Sequence, residues 1–382
     1  MPQGIEERVL EYLASTSISD SSADNKTAGI READQFEALA LEVFHHQFSL
    51  NSAYRKWCDS LGVSSRSVST SAHIPAVPVS AFKEMEFCCG SPSAEFRTSG
   101  TSGTGPGRHL LPSLDMYRAS ALRNFQACVM PEGWKFRTMV IAPPPRIRPA
   151  SSLSQMFSWI LEEIAGPSSG WFIGDTGLQC EKLAEALLDA HRANSQVLLL
   201  GTAAGFLSFY DFCDQEGIRI ELPAGSRLMD TGGRKGIGNP GGGSLEEFQL
   251  RFRRRTHAVL GIPMEMCINE YGMTELSSQF YDSVLLDHRE KRERPGPRVK
   301  LVPFWVRACA LDPATLEPLP KGITGLLKFV DLANTGSVSA VLTEDLGSIV
   351  EGGFILEGRP RLAESRGCGL TFEGISRGTS LQ

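Results

Sequence analysis

The most informative run of residues is Thr98-Ser99-Gly100-Thr101-Ser102-Gly103-Thr104-Gly105-Pro106-Gly107. It contains glycines and hydroxyl side chains at a density that neither a core strand nor an ordinary turn needs. Glycine lets backbone N–H groups approach an anion closely, and Thr and Ser hydroxyls add donors to the same surface. The run predicts a phosphate-binding loop, although a flexible Gly/Ser linker has a similar composition. It is not a GxxxxGK[ST] loop, because no Lys follows the glycine.

The overall composition is that of an acidic, soluble globular protein. The chain has 382 residues, 41% hydrophobic and 21% charged, with a formal net charge of -6. This length suits one large domain with an appendage, or two or three smaller domains. The negative charge argues against a nucleic-acid partner. We expect the main basic run, Arg251 with Arg253, Arg254 and Arg255, to form the solvated face of a helix.

The N-terminus and the cysteines predict a cytoplasmic protein. The first residues, MPQGIEERVLEYL, carry acids where a secretory signal would be basic and then apolar. No apolar stretch approaches the ~18 residues needed for a membrane span. The nine cysteines are scattered, without a CxxC pair or a histidine at zinc-finger spacing. The pattern therefore indicates neither a disulfide framework nor a zinc site.

Helical and strand patterns alternate through most of the chain. Helices are predicted at 32–48, 115–130, 151–165, 181–193, 205–216 and 244–260, the last opened by a capping box and closed by Gly261. Strands are predicted at 138–142, 196–201, 218–222, 266–269, 302–306, 326–331, 338–343 and 354–357, and 74–83 is expected to be extended. The alternation predicts an α/β sheet with helices on its faces, followed by a β-rich subdomain. Ligands of such sheets bind at the carboxyl ends of the strands.

These patterns also suggest domain boundaries. Residues 1–30 are expected to be loosely ordered after a short helical start. An α/β core would span 31–300 and a β-rich subdomain 301–357, followed by a short tail, 358–382.

Several polar groups follow predicted strands, where they can reach a ligand. In the segment Asn269–Glu275, Tyr271 offers a stacking face, Thr274 a hydroxyl and Glu275 a carboxylate suited to Mg²⁺; a capped helix start is the structural alternative. Asp345 can accept hydrogen bonds from ribose hydroxyls, or else lie in a hairpin turn. The Gly232-Gly233 loop with Lys235 is a second glycine-rich candidate loop. Its composition fits a mobile surface loop equally well.

Cys368 is the cysteine whose surroundings suggest reactivity. Gly367 and Gly369 flank it, which favours an exposed, flexible position, and Arg366 would lower the pKa of its thiol. The alternative is an ordinary buried thiol.

Together and in this order, the motifs resemble those of the acyl-adenylate-forming superfamily, which includes acyl-CoA synthetases, peptide-synthetase adenylation domains and luciferases. TSGTSGTGPG matches the phosphate loop, YGMTE the adenine and magnesium turn, and the Asp of TEDLG the ribose ligand. Gly358-Arg359 resembles the hinge. The resemblance implies ATP and Mg²⁺ as cofactors.

The resemblance also implies a role for each matched residue. Thr98, Ser99, Gly100, Thr101, Ser102 and Gly103 would hold the β- and γ-phosphates. Tyr271, Gly272 and Met273 would flank the adenine and the acyl carboxylate. Thr274 would contact the α-phosphate, Glu275 the metal and Asp345 the ribose. Arg359 would assist at the hinge, and Lys235 would stabilise charge in the transition state.

The chain departs from the superfamily pattern in two ways. Pro106 stands where the phosphate loop usually has Lys, so Arg108 is the candidate replacement. Only about 14 residues follow Cys368, whereas a full member has a lid domain of roughly 100 residues there. We therefore expect the C-terminal lid to be truncated.

Within the superfamily, a truncated form with a late cysteine resembles the acyl-protein synthetase (LuxE-type) family. Three segments resemble that family's signatures: Ile74-Pro75 with Pro78 and Phe82-Lys83, Thr231-Gly232-Gly233 with Lys235, and Arg366-Gly367-Cys368. The resemblance implies activation of a fatty acid to acyl-AMP and transfer of the acyl group to Cys368. The final acceptor would be a protein such as an acyl reductase or a carrier protein.

Three other interpretations remain open at this point. The first is an acyl- or aryl-CoA ligase, or an acyl-AMP-dependent acyltransferase, without a stable acyl-cysteine. The second is a serine acyl-enzyme, because Ser80-Ala81-Phe82-Lys83 matches S-x-x-K, here in a proline-rich extended segment without the accompanying motifs. The third is a non-catalytic binding protein derived from an adenylating ancestor.

Overall fold

A computed structural model describes residues 4–15, 25–98, 105–232, 244–292 and 296–359, with the backbone alone for 25–31. Contacts divide the chain into two compact units. The first unit comprises the chain up to Ala121, the short segment Met273–Ser278, and the chain from Val302 onward. The second comprises Leu122–Gly272 and Gln279–Leu301. The boundaries suggested by the sequence pattern stay a prediction.

Within the described ranges the helices are Ile5–Ser15 (α1), Asn25–Leu50 (α2), Ser52–Ser60 (α3), Asp115–Val129 (α4), Ser152–Glu163 (α5), Cys180–Arg192 (α6), Ala203–Gln215 (α7), Leu245–Leu260 (α8) and Val284–Arg289 (α9). The first strands are Val77–Pro78 (β1), Ala94–Arg97 (β2), Arg108–Leu111 (β3), Arg137–Ile141 (β4), Gly170–Trp171 (β5), Ile173–Gly174 (β6), Gly177–Leu178 (β7) and Val197–Thr202 (β8). The remaining strands are Arg227–Thr231 (β9), Cys267–Tyr271 (β10), Phe280–Tyr281 (β11), Lys300–Leu301 (β12), Val306–Leu311 (β13), Thr324–Asp331 (β14), Ala340–Val350 (β15) and Gly353–Gly358 (β16).

The second unit is built on a mainly parallel sheet with the strand order β5-β4-β8-β9-β10-β11. Only the edge pair β10–β11 is antiparallel. Strand β8, whose apolar run the sequence indicated, is buried from Val197 to Gly201, as expected for an inner strand of a parallel sheet. The predicted α/β architecture is therefore confirmed.

Helices α6, α7 and α8 pack into a large apolar cluster in the second unit. Leu187, Phe206, Tyr210 and Phe252 are buried there together with Leu199 of β8. This burial holds the helices against the sheet, since removal of apolar surface from water is the main stabilising term in folding.

Helix α8 begins and ends where its local sequence predicts. Ser244 Oγ accepts from the backbone N–H of Glu247 at 3.1 Å, and the Glu247 carboxylate accepts from the backbone N–H of Ser244 at 2.7 Å. Gly261 ends the helix with φ of 68°, a left-handed conformation that glycine adopts without strain. A Cβ atom there would come within 2.9 Å of the Glu221 carboxyl carbon.

Four antiparallel strands, β13 to β16, form the main sheet of the first unit in chain order. The short strand β1 joins it in parallel to β15, with Val77 opposite Val341. This β-rich texture beyond residue 300 agrees with the sequence pattern. Residues 302–305 are not part of a strand, however; the backbone N–H of Val306 instead donates to the Pro303 carbonyl in a turn.

The predicted strand at 218–222 is wrong. The segment is extended, but the N–H groups of Ile220 and Leu222 donate to the Val259 and Leu260 carbonyls. They therefore satisfy carbonyls at the end of α8, which have no partner within the helix. The segment caps a helix instead of joining a sheet.

Two further expectations need correction. Arg253, placed on the solvated face of the basic helix, is 8% exposed, and burial lowers the pKa of its guanidinium. Ser80 and Lys83 lie in a 3-10 helix, Val79–Lys83, and not in an extended segment. No helix in the described parts of the chain is long and apolar enough to cross a membrane.

The capping box of α8 gives a test of the fold. Ser244→Ala removes the acceptor for the N–H of Glu247, so we expect the free energy of unfolding to fall by about 1 kcal/mol. Urea denaturation followed by circular dichroism measures this change. The control is Ser158→Ala, within α5, whose hydroxyl bonds only the Glu162 side chain in the structure. Equal stability of the two variants would contradict the capping role.

Candidate active site

The glycine-rich run connects the two strands of a β-hairpin. Strands β2 and β3 pair antiparallel up to Arg97 and Arg108. Beyond them the Thr98 N–H donates to the Gly107 carbonyl at 3.0 Å, and the Gly107 N–H donates to Thr98 Oγ1 at 2.8 Å. Because both strands belong to the first unit, the run is not a linker between units. Ser99, Gly100, Thr101, Ser102, Gly103 and Thr104 lie outside the described residues.

Arg108 opens β3 directly after this loop. Its guanidinium pairs with the Glu86 carboxylate, and its side chain is 38% exposed. Arg108, the candidate replacement for the missing lysine, therefore forms an ion pair with a carboxylate in the structure. Its role in phosphate binding stays a prediction.

His109, the next residue of β3, joins the hairpin to the segment after β10. The ring is buried and forms a T-shaped pair with the Phe82 ring, at 6.1 Å between centroids. Nδ1 lies 2.7 Å from the Thr274 carbonyl oxygen, and Nε2 lies 2.9 Å from Asn334 Oδ1. The hairpin that carries the glycine-rich loop is thus fixed to the Thr274–Glu275 turn.

Asn334 is the polar centre of this junction. Its Nδ2 donates to the carbonyls of Glu275 at 2.9 Å and Val338 at 2.7 Å. Its Oδ1 accepts from Ser277 Oγ at 3.2 Å and faces His109. Asn334 is fully buried, so these bonds replace the water that its amide would otherwise need.

Gln47 of α2 holds the loop that contains Asn334. Its Nε2 donates to the carbonyls of Asn334 at 2.9 Å and Thr335 at 3.1 Å. Its Oε1 accepts from both the N–H and the hydroxyl of Ser339 at 3.0 Å. A helix far away in sequence therefore sets the position of the asparagine that holds the turn.

Asp331 fixes the far end of the same turn. Its carboxylate accepts from the Ser277 N–H at 3.1 Å and from Ser278 Oγ at 2.8 Å. Burial raises the pKa of Asp331 to about 6, although these hydrogen bonds favour the charged form. The segment 272–278 forms a turn without a helix, so the alternative of a capped helix start is wrong.

In the second unit, strand β10 ends at Tyr271, whose ring packs on Phe280 at 5.9 Å between centroids. The preceding Glu270 is buried and accepts a hydrogen bond from the Thr231 hydroxyl of β9. Its carboxylate curves over Gly272, where a Cβ atom would collide with Glu270 Oε1. A larger residue at 272 would therefore require the Glu270 side chain to move.

A buried polar network supports the ends of β9 and β10. Asn269 Nδ2 donates to the Asp230 carboxylate at 2.8 Å, and Lys300 Nζ donates to Asn269 Oδ1 at 2.6 Å. Lys300 also pairs with Asp282 at 2.9 Å. Since charges buried without partners are strongly destabilising, this network fixes the backbone that leads into Tyr271.

Asp345 lies inside strand β15, so the hairpin-turn alternative is wrong. Its Oδ1 accepts from Arg359 Nε at 3.0 Å, and Arg359 Nη1 also approaches Glu344 at 3.4 Å. Asp345 is nearly buried whereas Arg359 is exposed. The structure therefore brings together the predicted ribose ligand and the predicted hinge arginine.

Among the described residues, no group of three or more His, Cys, Asp and Glu side chains is placed to hold a metal ion. Glu275, the predicted metal ligand, is buried. A single carboxylate fits a Mg²⁺ ion whose other ligands are nucleotide phosphates and water, because Mg²⁺ is commonly held in this way.

The structure leaves some predicted residues undescribed and adds others. Lys235 and Cys368 lie outside the described ranges. His109, Asn334 and Glu270 are candidate residues to which the local sequence assigns no role. A histidine before Leu110-Leu111 in a buried strand, and an acid within a buried strand, were the available signals.

The fold places the chain in a class of proteins. An open conformation of 2-hydroxyisobutyryl-CoA ligase, in complex with 2-HIB-AMP and CoA, superposes with a TM-score of 0.57 at 15% identity; the match covers 90% of this chain and 75% of that chain. The same ligase in its postadenylation state gives 0.59 at 16% identity, covering 86% and 68%. The fold is that of adenylate-forming ligases.

The family model for acyl-protein synthetase, LuxE, matches residues 11–374, and the chain belongs to this family of ligases. The long-chain-fatty-acid–luciferin-component ligase of Aliivibrio fischeri is 23% identical over 323 residues, which is 82% of this chain and 79% of that protein. The Vibrio harveyi ligase of the same name is 44% identical over 50 residues, 13% of each chain.

Glu270 gives a pH-dependent prediction. Burial raises its pKa from 4.5 to about 7, against the Thr231 hydrogen bond and the Lys300 charge, which lower it. A raised carboxyl pKa contributes stability that is complete below pH 4.5 and is lost as the pH rises through 7. Glu270→Gln cannot ionise, so at pH 8 we expect it to exceed the wild type in unfolding free energy by up to roughly 3 kcal/mol.

Urea denaturation at pH 4.5 and at pH 8 measures the difference, which should nearly vanish at the lower pH. Glu181→Gln, an exposed residue of α6, is the matched control. An equal loss of unfolding free energy between pH 4.5 and pH 8 in the wild type and in Glu270→Gln would contradict the raised pKa of Glu270.

Proposed function

We propose that this protein activates a fatty acid with ATP and carries the acyl group on Cys368 before passing it to an acceptor protein. The observation that carries the proposal is the junction at His109, which joins the hairpin of the glycine-rich loop to the Thr274–Glu275 turn. Membership of the acyl-protein synthetase family and the adenylate-forming fold support it.

The reaction divides one difficult acylation into easier steps. A carboxylate oxygen attacks the α-phosphorus of ATP, which forms acyl-AMP and releases pyrophosphate. The Cys368 thiolate then attacks the acyl carbonyl carbon, which forms a thioester and releases AMP. Covalent catalysis of this kind needs a nucleophile that is partly ionised near neutral pH, and the neighbouring Arg366 favours the thiolate of Cys368.

The nucleotide would bind along the segments joined at His109. In this proposal the loop Thr98–Gly103 holds the β- and γ-phosphates through backbone N–H groups and hydroxyls. The half-buried Thr274 contacts the α-phosphate. Hydrogen bonds already fix the turn in the free protein. The loss of conformational entropy of the turn on nucleotide binding is therefore small.

Glu275 would hold Mg²⁺ together with the nucleotide phosphates. The ion supplies charge neutralisation for the departing pyrophosphate. Lys235 is a candidate for additional stabilisation of the negative charge that develops in the transition state.

Asp345 would bind the ribose. A carboxylate offers about four acceptor positions, so Asp345 can accept hydrogen bonds from ribose hydroxyls while it keeps its bond to Arg359. Tyr271, Gly272 and Met273 would flank the adenine and the acyl carboxylate, on the backbone that Asn269 and Glu270 support.

The name of a relative supports the proposed substrate class. The Aliivibrio fischeri protein is named for long-chain fatty acids, and we assign the same substrate class here. The acceptor would be an acyl reductase or a carrier protein, and the reaction would take place in the cytoplasm.

The test separates activation from acyl transfer. With Cys368→Ser, fatty-acid-dependent exchange of pyrophosphate into ATP should continue, because adenylation does not use the thiol. Labelling of the protein by radioactive fatty acid, released by hydroxylamine as expected for a thioester, should disappear. Cys180→Ser, at a half-buried cysteine in the second unit, should retain both activities.

Each failure has a distinct meaning. Labelled Cys368→Ser protein would show that another residue accepts the acyl group. Absence of exchange in the wild type would overturn the activation step itself. Consumption of acyl-AMP by added CoA, without labelling of the protein, would favour a CoA ligase.

A further inference from the structure

The geometry points to His109 as a positioning residue for the nucleotide: its ring holds the Thr274–Glu275 turn against the phosphate-loop hairpin fully only when both ring nitrogens carry protons. This inference rests on the proposed function of the turn and the loop. What matters is which partner can donate in each hydrogen bond around the ring.

The orientation of the Asn334 amide is fixed by its other contacts. Its Nδ2 faces two carbonyl oxygens, those of Glu275 and Val338, at 2.9 and 2.7 Å. If the amide were rotated, Oδ1 would face both carbonyl oxygens, and a carbonyl oxygen has no hydrogen to donate. The atom that faces His109 Nε2 is therefore an oxygen.

Both ring nitrogens of His109 consequently face hydrogen-bond acceptors. Nε2 faces Asn334 Oδ1 at 2.9 Å, and Nδ1 faces the Thr274 carbonyl at 2.7 Å. A neutral imidazole has one N–H donor, whereas the imidazolium has two. In the neutral ring, one nitrogen lone pair would point at an oxygen at hydrogen-bonding distance, and that contact must lengthen.

Burial opposes the charged form that the contacts favour. It lowers the pKa of His109 to about 4, while the bonds to Thr274 and Asn334 raise it. Ionisable residues on the elements around the ring include Arg108 beside it on β3, Glu95 and Arg97 on the paired strand β2, Lys83 beyond Phe82, Glu275 on the turn and Asp331 at the base of the Asn334 loop. Bound phosphates would add negative charge and favour the imidazolium.

Loss of the second proton would affect nucleotide binding through position. Thr98, at the mouth of the phosphate loop, lies on the same hairpin as His109, and Phe96 pairs directly with His109. When one of the two hydrogen bonds of the imidazole breaks, either Thr274 is released from the hairpin or the hairpin is released from Asn334. The described strands of the hairpin and the turn at Thr274 then lose their fixed separation.

Kinetics provide the first test. Because bound phosphates favour the imidazolium, the wild-type ring should take up a proton as ATP binds, and we expect the KM for ATP in pyrophosphate exchange to rise as the pH increases from 5 to 8. In His109→Gln the KM at pH 5 should be several-fold higher than in the wild type, and the rise that depends on His109 should be absent, with kcat changed less. His191→Gln removes an exposed histidine that also contacts a backbone carbonyl, that of Glu221, and should keep the wild-type profile. Identical profiles for the wild type and His109→Gln would overturn the inference.

Nuclear magnetic resonance of the nucleotide-free protein provides a second test that does not depend on the proposed function. The backbone amide signals of Thr274 and Glu275 should show a titration step with the same midpoint as the His109 ring nitrogens, and this step should be absent in His109→Gln. Turn signals that ignore protonation of the ring would overturn the inference. A wild type that shows this titration but no exchange would instead overturn the proposed function alone.

Discussion

A buried amide with no access to water must find all its hydrogen bonds within the protein, and Asn334 finds them on three separate segments of the first unit. Its donors hold the carbonyls of Glu275 and Val338, and its oxygen accepts from Ser277 and faces His109. The candidate residues that lie in this unit are therefore held by polar contacts as well as by apolar packing. Such a network is rigid when complete and costly to break at any member.

The elements that could be predicted from sequence are those whose signals are local. Ser244 and Glu247 cap each other across one helical turn, and Gly261 ends the same helix by its own backbone preference. The apolar run of β8 likewise specifies a buried strand without distant information. The segment at 218–222 misled the prediction because extended backbone alone does not reveal its partner, which is a helix end.

The candidate site divides in the same way. The local sequence singles out the hairpin loop, the turn after β10 and Asp345 as candidates, because each belongs to a short polar motif next to apolar residues. His109 was missed because its partners are 165 and 225 residues away in sequence, and no local pattern reports such contacts. Glu270 was missed because its meaning depends on Thr231 of the neighbouring strand. The roles of Lys235 and Cys368 stay predictions.

The turn at Thr274 and Glu275 is held in place through its backbone. His109 and Asn334 reach the carbonyl oxygens of these two residues, which every amino acid possesses, and not their side chains. The shape of the turn is thus largely uncoupled from the chemistry displayed on it. Evolution could exchange the hydroxyl or the carboxylate there, and so retune the reaction, without rebuilding the scaffold beneath.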